Sequence, residues 1–95
     1  MLKDTFLSQY KTYYRFGSLL KALRQQAGLS QRDLAERVNY SPSYICRLEY
    51  GDRLPNIDII RRVFISQLGL ANQPEIAAYL LALAARELGR VGVKI

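Results

Sequence analysis

The chain has no histidine, and Cys46 is its single cysteine. Without a second thiol there is no internal disulfide. Without histidine, neither a zinc site of the usual Cys/His kind nor a histidine-dependent catalytic triad can be assembled. No carboxylate pair, nucleophile–base pair, metal-ligand cluster or glycine-rich phosphate loop stands out, so neither an enzyme nor a cofactor is expected. No apolar run approaches the roughly 20 residues needed to cross a bilayer, and no signal peptide opens the sequence. A cytoplasmic protein that does not enter membranes is the resulting expectation. Internal repeats and low-complexity linkers are missing as well.

Acidic residues are also scarce: 8 Asp and Glu face 14 Lys and Arg, for a net charge of +6. Such a bias in a small chain points to a polyanionic partner, nucleic acid ahead of an anionic membrane surface. With 49% apolar residues the composition is not that of a disordered chain. Ninety-five residues suit one domain with a small core.

The stretch from Gly28 to Leu54 reads as two short helices joined by a tight turn. Ser30 and Asp33 have the spacing of a capping box, in which each side chain satisfies a backbone N–H of the other residue. Leu34, Ala35 and Val38 follow on one helical face. Asn39 tolerates the left-handed conformation that ends a helix. Ser41 caps a second helix, and Pro42 takes a first-turn position whose N–H has no helical partner. Ile45 and Leu48 supply its inward face, Ala35 the small contact, and Gly51 the stop. This is the pattern of a helix-turn-helix.

The same residues resemble the XRE family of phage-repressor-like DNA-binding domains. The family pattern stands here as Gly28-Leu29-Ser30-Gln31, Leu34-Ala35, Ser41, Ser43, Ile45, Leu48-Glu49 and Gly51. With flanking helices the resemblance covers roughly residues 16 to 70. Asn39 replaces the usual glycine, and the helix after Pro55 has one extra residue. The resemblance implies an all-α, lambda-repressor-like fold, with the second helix of the motif (about 42–50) entering the major groove by its N-terminal half. It further implies that Arg24 pairs with Glu49 and also points a donor at a phosphate, the alternative for Arg24 being a solvated charge. It implies too that Gln31 bonds a phosphate and braces the recognition helix.

With Ile45, Leu48 and Glu49 facing the core, Ser43 and Arg47 face outward one turn apart. Arg47 is the best base reader, because its planar fork matches guanine O6 and N7. Ser43 suits either a base or a phosphate, and Tyr44 either a thymine methyl or the backbone. Arg53 in the following loop suits a phosphate, and Ser41 either caps only or also meets one. Cys46 is a small filler beside the groove face or a redox switch.

The predicted architecture is a compact bundle of five short helices with an extra N-terminal arm, divided as 1–15, 16–88 and a tail at 89–95. In the arm, Phe6, Tyr10, Tyr13 and Tyr14 fall on one helical stripe after an Asp4 cap. That stripe packs on the core, touches phosphates with Lys11 or Arg15, or forms a dimer contact. The first helix of the domain spans about Arg15 to Ala27, with Phe16, Leu19, Leu20, Leu23 and Ala27 inward. The fourth spans about Ile57 to Leu68 with Arg61 and Arg62 solvated. The fifth begins near Pro74 behind an Asn72–Glu75 capping pair, with Tyr79 and Leu81 as surplus apolar surface. The tail is a short strand, a frayed end or a cut point. The expected function is sequence-specific binding of double-stranded DNA as a transcriptional regulator, as a homodimer, with no membrane or small-molecule partner. The alternative is a protein-interaction module on the same fold that uses the arm and the fifth helix.

Overall fold

A computed structural model describes residues 7–90, and within them every regular element is helical. A helical segment at residues 7–10 leads into α1 (Phe16–Gln26), α2 (Gln31–Val38) and α3 (Pro42–Tyr50). A rod over residues 57–67, named α4, follows, and α5 (Pro74–Arg90) closes the bundle. Phe16, Leu19, Leu20, Leu34, Ile45, Leu48, Ile60, Phe64 and Leu80 are fully buried and form the centre of the core. Each comes from an amphipathic helix whose apolar positions recur at helical spacing, so five short helices share one core.

The extra residue after Pro55 has a visible outlet. α4 starts and ends as α-helix (Ile57–Ile59 and Ile65–Gln67) but passes through a π-helical turn over Ile60–Phe64, where the Ile65 N–H donates to the Ile60 carbonyl. A π-turn absorbs one residue without breaking the helix. Ile60 and Phe64 both stay buried, with Val63 and Ile65 half-buried beside them. Arg61 and Arg62 are exposed, and Arg62 pairs with Asp58 one turn back at 3.0 Å.

Several local expectations are corrected. Ala27 is exposed, because α1 ends at Gln26 and the chain folds back so that Leu29 takes the inward place, its N–H on the Arg24 carbonyl at 3.1 Å. The aromatic stripe does not continue as one helix. Tyr10 joins the core while Tyr14 is 71% exposed, and a turn at residues 11–12 separates them. Donors on α5 support this non-helical path. The Tyr79 hydroxyl donates to the Tyr13 carbonyl at 2.6 Å, and Arg86 to the Tyr14 carbonyl at 2.7 Å. Tyr79 and Leu81 are partly buried and pack against the core, so the surplus apolar surface on α5 is smaller than its sequence suggests. Phe6 and Asp4 lie outside the described residues. The residue immediately before α5 is Gln73, whose carbonyl receives the Ala77 N–H at 3.0 Å, so Asn72 sits one place too early for the cap. Residues 89 and 90 continue α5, and 91–95 lie outside the described residues.

Candidate nucleic-acid interface

The turn between α2 and α3 is set residue by residue. The Ser30 hydroxyl accepts from the Asp33 N–H at 2.9 Å, and the Asp33 carboxylate accepts from the Ser30 N–H at 2.9 Å. The Ser30 backbone N–H, and then its side chain, hold the Asp33 carboxyl below the usual carboxylate range. At the other end of α2, Asn39 takes the left-handed conformation (φ 64°, ψ 46°). That reversal lets the Tyr40 N–H reach the Ala35 carbonyl at 2.9 Å. Ser41 then caps α3 by accepting from the Tyr44 N–H at 3.2 Å, with Pro42 in the first turn. Gly51, at φ 97°, ends the helix.

The C-terminal half of α3 is anchored inward. Arg24 on α1 donates through Nε to Glu49 Oε2 at 2.6 Å and through Nη2 to Glu49 Oε1 at 3.0 Å. Its Nη1 donates to the Leu29 carbonyl at 2.8 Å, and Gln31 adds a donor to Glu49 Oε1 at 3.0 Å. The two charged side chains are nearly sealed from water, at 9% and 4% exposed. One carboxylate therefore ties α1, α2 and α3 together. Its partners are satisfied, which is the condition for a buried ion pair to hold rather than weaken a core. A guanidinium used in this way does not fit a phosphate contact by Arg24. Gln31 likewise gives one amide N–H to Glu49 and keeps its second N–H and its amide oxygen for other partners.

Gly17 lets the helices come close enough for this. A Cβ there would run into the carbonyl oxygens of Leu48 and Glu49 and lie 2.8 Å from the Glu49 carbonyl carbon. The signal in the sequence is a glycine in the first turn of an otherwise regular amphipathic helix, since it marks a close backbone approach.

The outer face of α3 is open to solvent. Ser41, Ser43, Cys46 and Arg47 are exposed, and the Ser41 and Ser43 hydroxyls lie 3.2 Å apart. Arg47 meets no side-chain or backbone acceptor among the described residues. Tyr44 is half-buried and stacks on Tyr40, with ring centroids 4.4 Å apart and planes inclined by 22°. The Arg53 guanidinium carbon stands 5.3 Å from the Tyr44 ring centroid. Burial, and then Tyr40, push the Tyr44 phenol up, while Arg53 pulls it down. The structure thus gathers Ser41, Ser43, Tyr44, Arg47 and Arg53 around one end of α3 and uses Arg24, Gln31 and Glu49 to hold the other. Nothing local in the sequence marks Tyr40 as part of this face, because a turn tyrosine that stacks has the same neighbours in sequence as one that dangles.

A family described as a helix-turn-helix domain matches residues 15–64, just over half of the chain. The chain is also similar to the Endothelial differentiation-related factor 1 homolog of Danio rerio, at 32% identity over 57 residues. That match takes in 60% of this chain and 39% of the relative, so the chain spans well under half of that protein's length. No solved structure gives a significant match. Among the described residues, no helix is long and apolar enough to cross a membrane.

Proposed function

This chain belongs to the helix-turn-helix domain family, of the XRE and lambda-repressor-like class, and from that premise we propose that it binds double-stranded DNA sequence-specifically as a transcriptional regulator. The recognition element is α3, its N-terminal half in the major groove. Residues 16–88 are the DNA-binding domain. The observation that carries the reading is the division of labour along α3. Its sole acidic residue, Glu49, is turned inward and neutralised by Arg24, while its outward face presents Ser43 and an Arg47 side chain that has no partner among the described residues. A groove face freed of its own negative charge suits the polyanion that the net charge of +6 also favours.

In this reading Arg47 reads guanine, Ser43 and Tyr44 contact neighbouring bases, and Gln31, Ser41 and Arg53 contact phosphates that set the register. The protein works as a homodimer on half-sites about 10 base pairs apart or at multiples of that spacing. The lone, exposed thiol of Cys46 fits a reducing cytoplasm. A protein-interaction module is the other reading; against it, Tyr79 and Arg86 of α5 already donate to the Tyr13 and Tyr14 carbonyls of the N-terminal segment.

Two substitutions separate base reading from phosphate contact. Arg47→Ala should cost about 1–3 kcal/mol on a preferred site and relax the choice of base at one position. Equal loss on every sequence would show that Arg47 does not read bases. Arg53→Ala should weaken all sequences alike and reduce the slope of log affinity against log salt by about one. An unchanged slope would take Arg53 off the phosphate list.

A further inference from the structure

We propose that Tyr40 is a positioning residue for DNA binding: stacked on Tyr44, it steadies the aromatic face over which Arg53 is held ready for a backbone phosphate. The inference rests on the DNA-binding reading of this face and adds a residue and a role to it.

The first support is a comparison inside the fold. Leu29, Tyr40 and Leu70 occupy the same kind of place, just after a left-handed helix stop. Their N–H groups reach the carbonyls of Arg24, Ala35 and Ile65 at 3.1, 2.9 and 2.9 Å. An apolar side chain at this place normally folds back against the helix it follows. Leu29 and Leu70 do so and are 8% and 4% exposed, whereas Tyr40 is 40% exposed. Tyr40 is therefore not a core filler, and its contact is with Tyr44 on the groove side.

The second support is the chain of contacts from Tyr40 to Arg53. A cation within about 6 Å of a tyrosine centroid is held by the ring's negative face. Arg53 stands at 5.3 Å from Tyr44. Arg53 lies in an exposed, non-helical stretch, where an arginine would otherwise sample many rotamers. Its guanidinium N–H groups meet no protein acceptor among the described residues, so they stay free for an anion, while its backbone N–H donates to the Arg47 carbonyl at 3.3 Å. Without Tyr40, the Tyr44 face that it covers is bare and the ring is less restrained, so Arg53 loses part of its preordering.

The test measures binding of a random-sequence duplex over a series of salt concentrations. It compares the wild type with Tyr40→Leu, Tyr40→Phe, Arg53→Ala and the Tyr40→Leu/Arg53→Ala double variant. Leucine is the residue the fold itself uses at two of the three sister positions, Asp52 after Gly51 being the third, so Tyr40→Leu should keep its thermal midpoint. The expected result is a loss of about two- to fivefold for Tyr40→Leu, with a salt slope that moves toward that of Arg53→Ala. Tyr40→Phe keeps the stack and should bind as wild type. In the Arg53→Ala background, Tyr40→Leu should change nothing further. An equal loss in both backgrounds, or an unchanged salt slope, would overturn the positioning role while leaving DNA binding intact. Failure of the folded wild type itself to bind at low salt would overturn the DNA reading, and this inference with it.

Discussion

Glu49→Ala is expected to destabilise the domain by about 3–5 kcal/mol, the cost of leaving a buried charge without its partner. The carboxylate accepts from three donors: Arg24 Nε at 2.6 Å, Arg24 Nη2 at 3.0 Å and Gln31 at 3.0 Å. Its removal leaves a guanidinium in the core with only the Leu29 carbonyl. Small domains have total stabilities of about 5–15 kcal/mol, so the loss is a large share of the whole. At about 4–8 °C per kcal/mol, the thermal midpoint should fall by more than about 10 °C. A second variant sharpens the point. Arg24→Met combined with Glu49→Leu removes both charges and refills the space, and should recover most of what the single change loses. Thermal unfolding followed by circular dichroism checks both. A shift for Glu49→Ala no larger than that of a surface pair, at most about 1 kcal/mol, would mean that this bridge does not anchor α3.

Gly17→Ala carries the second large effect, and it runs against helix propensity. Alanine inside a helix gains about 1 kcal/mol over glycine. Here the added methyl group meets the carbonyls of Leu48 and Glu49, which are backbone atoms of the last turn of α3 and cannot rotate away. α1 cannot retreat easily either, since Phe16, Leu19 and Leu20 are buried on both sides of the contact in sequence. Overpacking typically costs about 1–3 kcal/mol and occasionally more; with backbone atoms that must move, the clash outweighs the gain in propensity. The variant should be less stable and, with α3 displaced, should also bind DNA more weakly. Ser18→Ala, next to it but exposed, serves as a near-neutral control. A Gly17→Ala protein more stable than wild type would show that propensity wins and that the two helices are not in close contact.

Much of this structure is legible in the chain, and the legible parts share a cause. The Ser30–Asp33 box, the Asn39 stop, the Ser41 cap with Pro42 and the Gly51 stop all act within a few residues of themselves. Their geometry is encoded where they stand. Inward faces set by helical spacing, such as Leu34, Ala35 and Val38, are readable for the same reason. The bridge from Arg24 to Glu49 spans 25 residues and was anticipated only through family resemblance. What was not legible depends on distant neighbours. Ala27 fits the helical stripe of α1 yet stays outside, because Leu29 folds back into the place it would fill. Tyr14 fits the aromatic stripe, but Arg86 on α5 holds its backbone on another path. The π-turn of α4 lets an extra residue sit without loss of the buried Ile60 and Phe64. Gly17 and Tyr40 acquire meaning only once another element lies against them.

The central claim is that the exposed outer face of α3 reads double-stranded DNA. The most direct test incubates the protein with a pool of random duplexes at two salt concentrations and sequences what is retained. Retention that falls steeply with salt, with a shared motif among the retained sequences, is the predicted result. An inverted repeat with half-sites about 10 base pairs apart would add the dimer geometry. A folded protein that retains no duplex even at low salt would contradict the account.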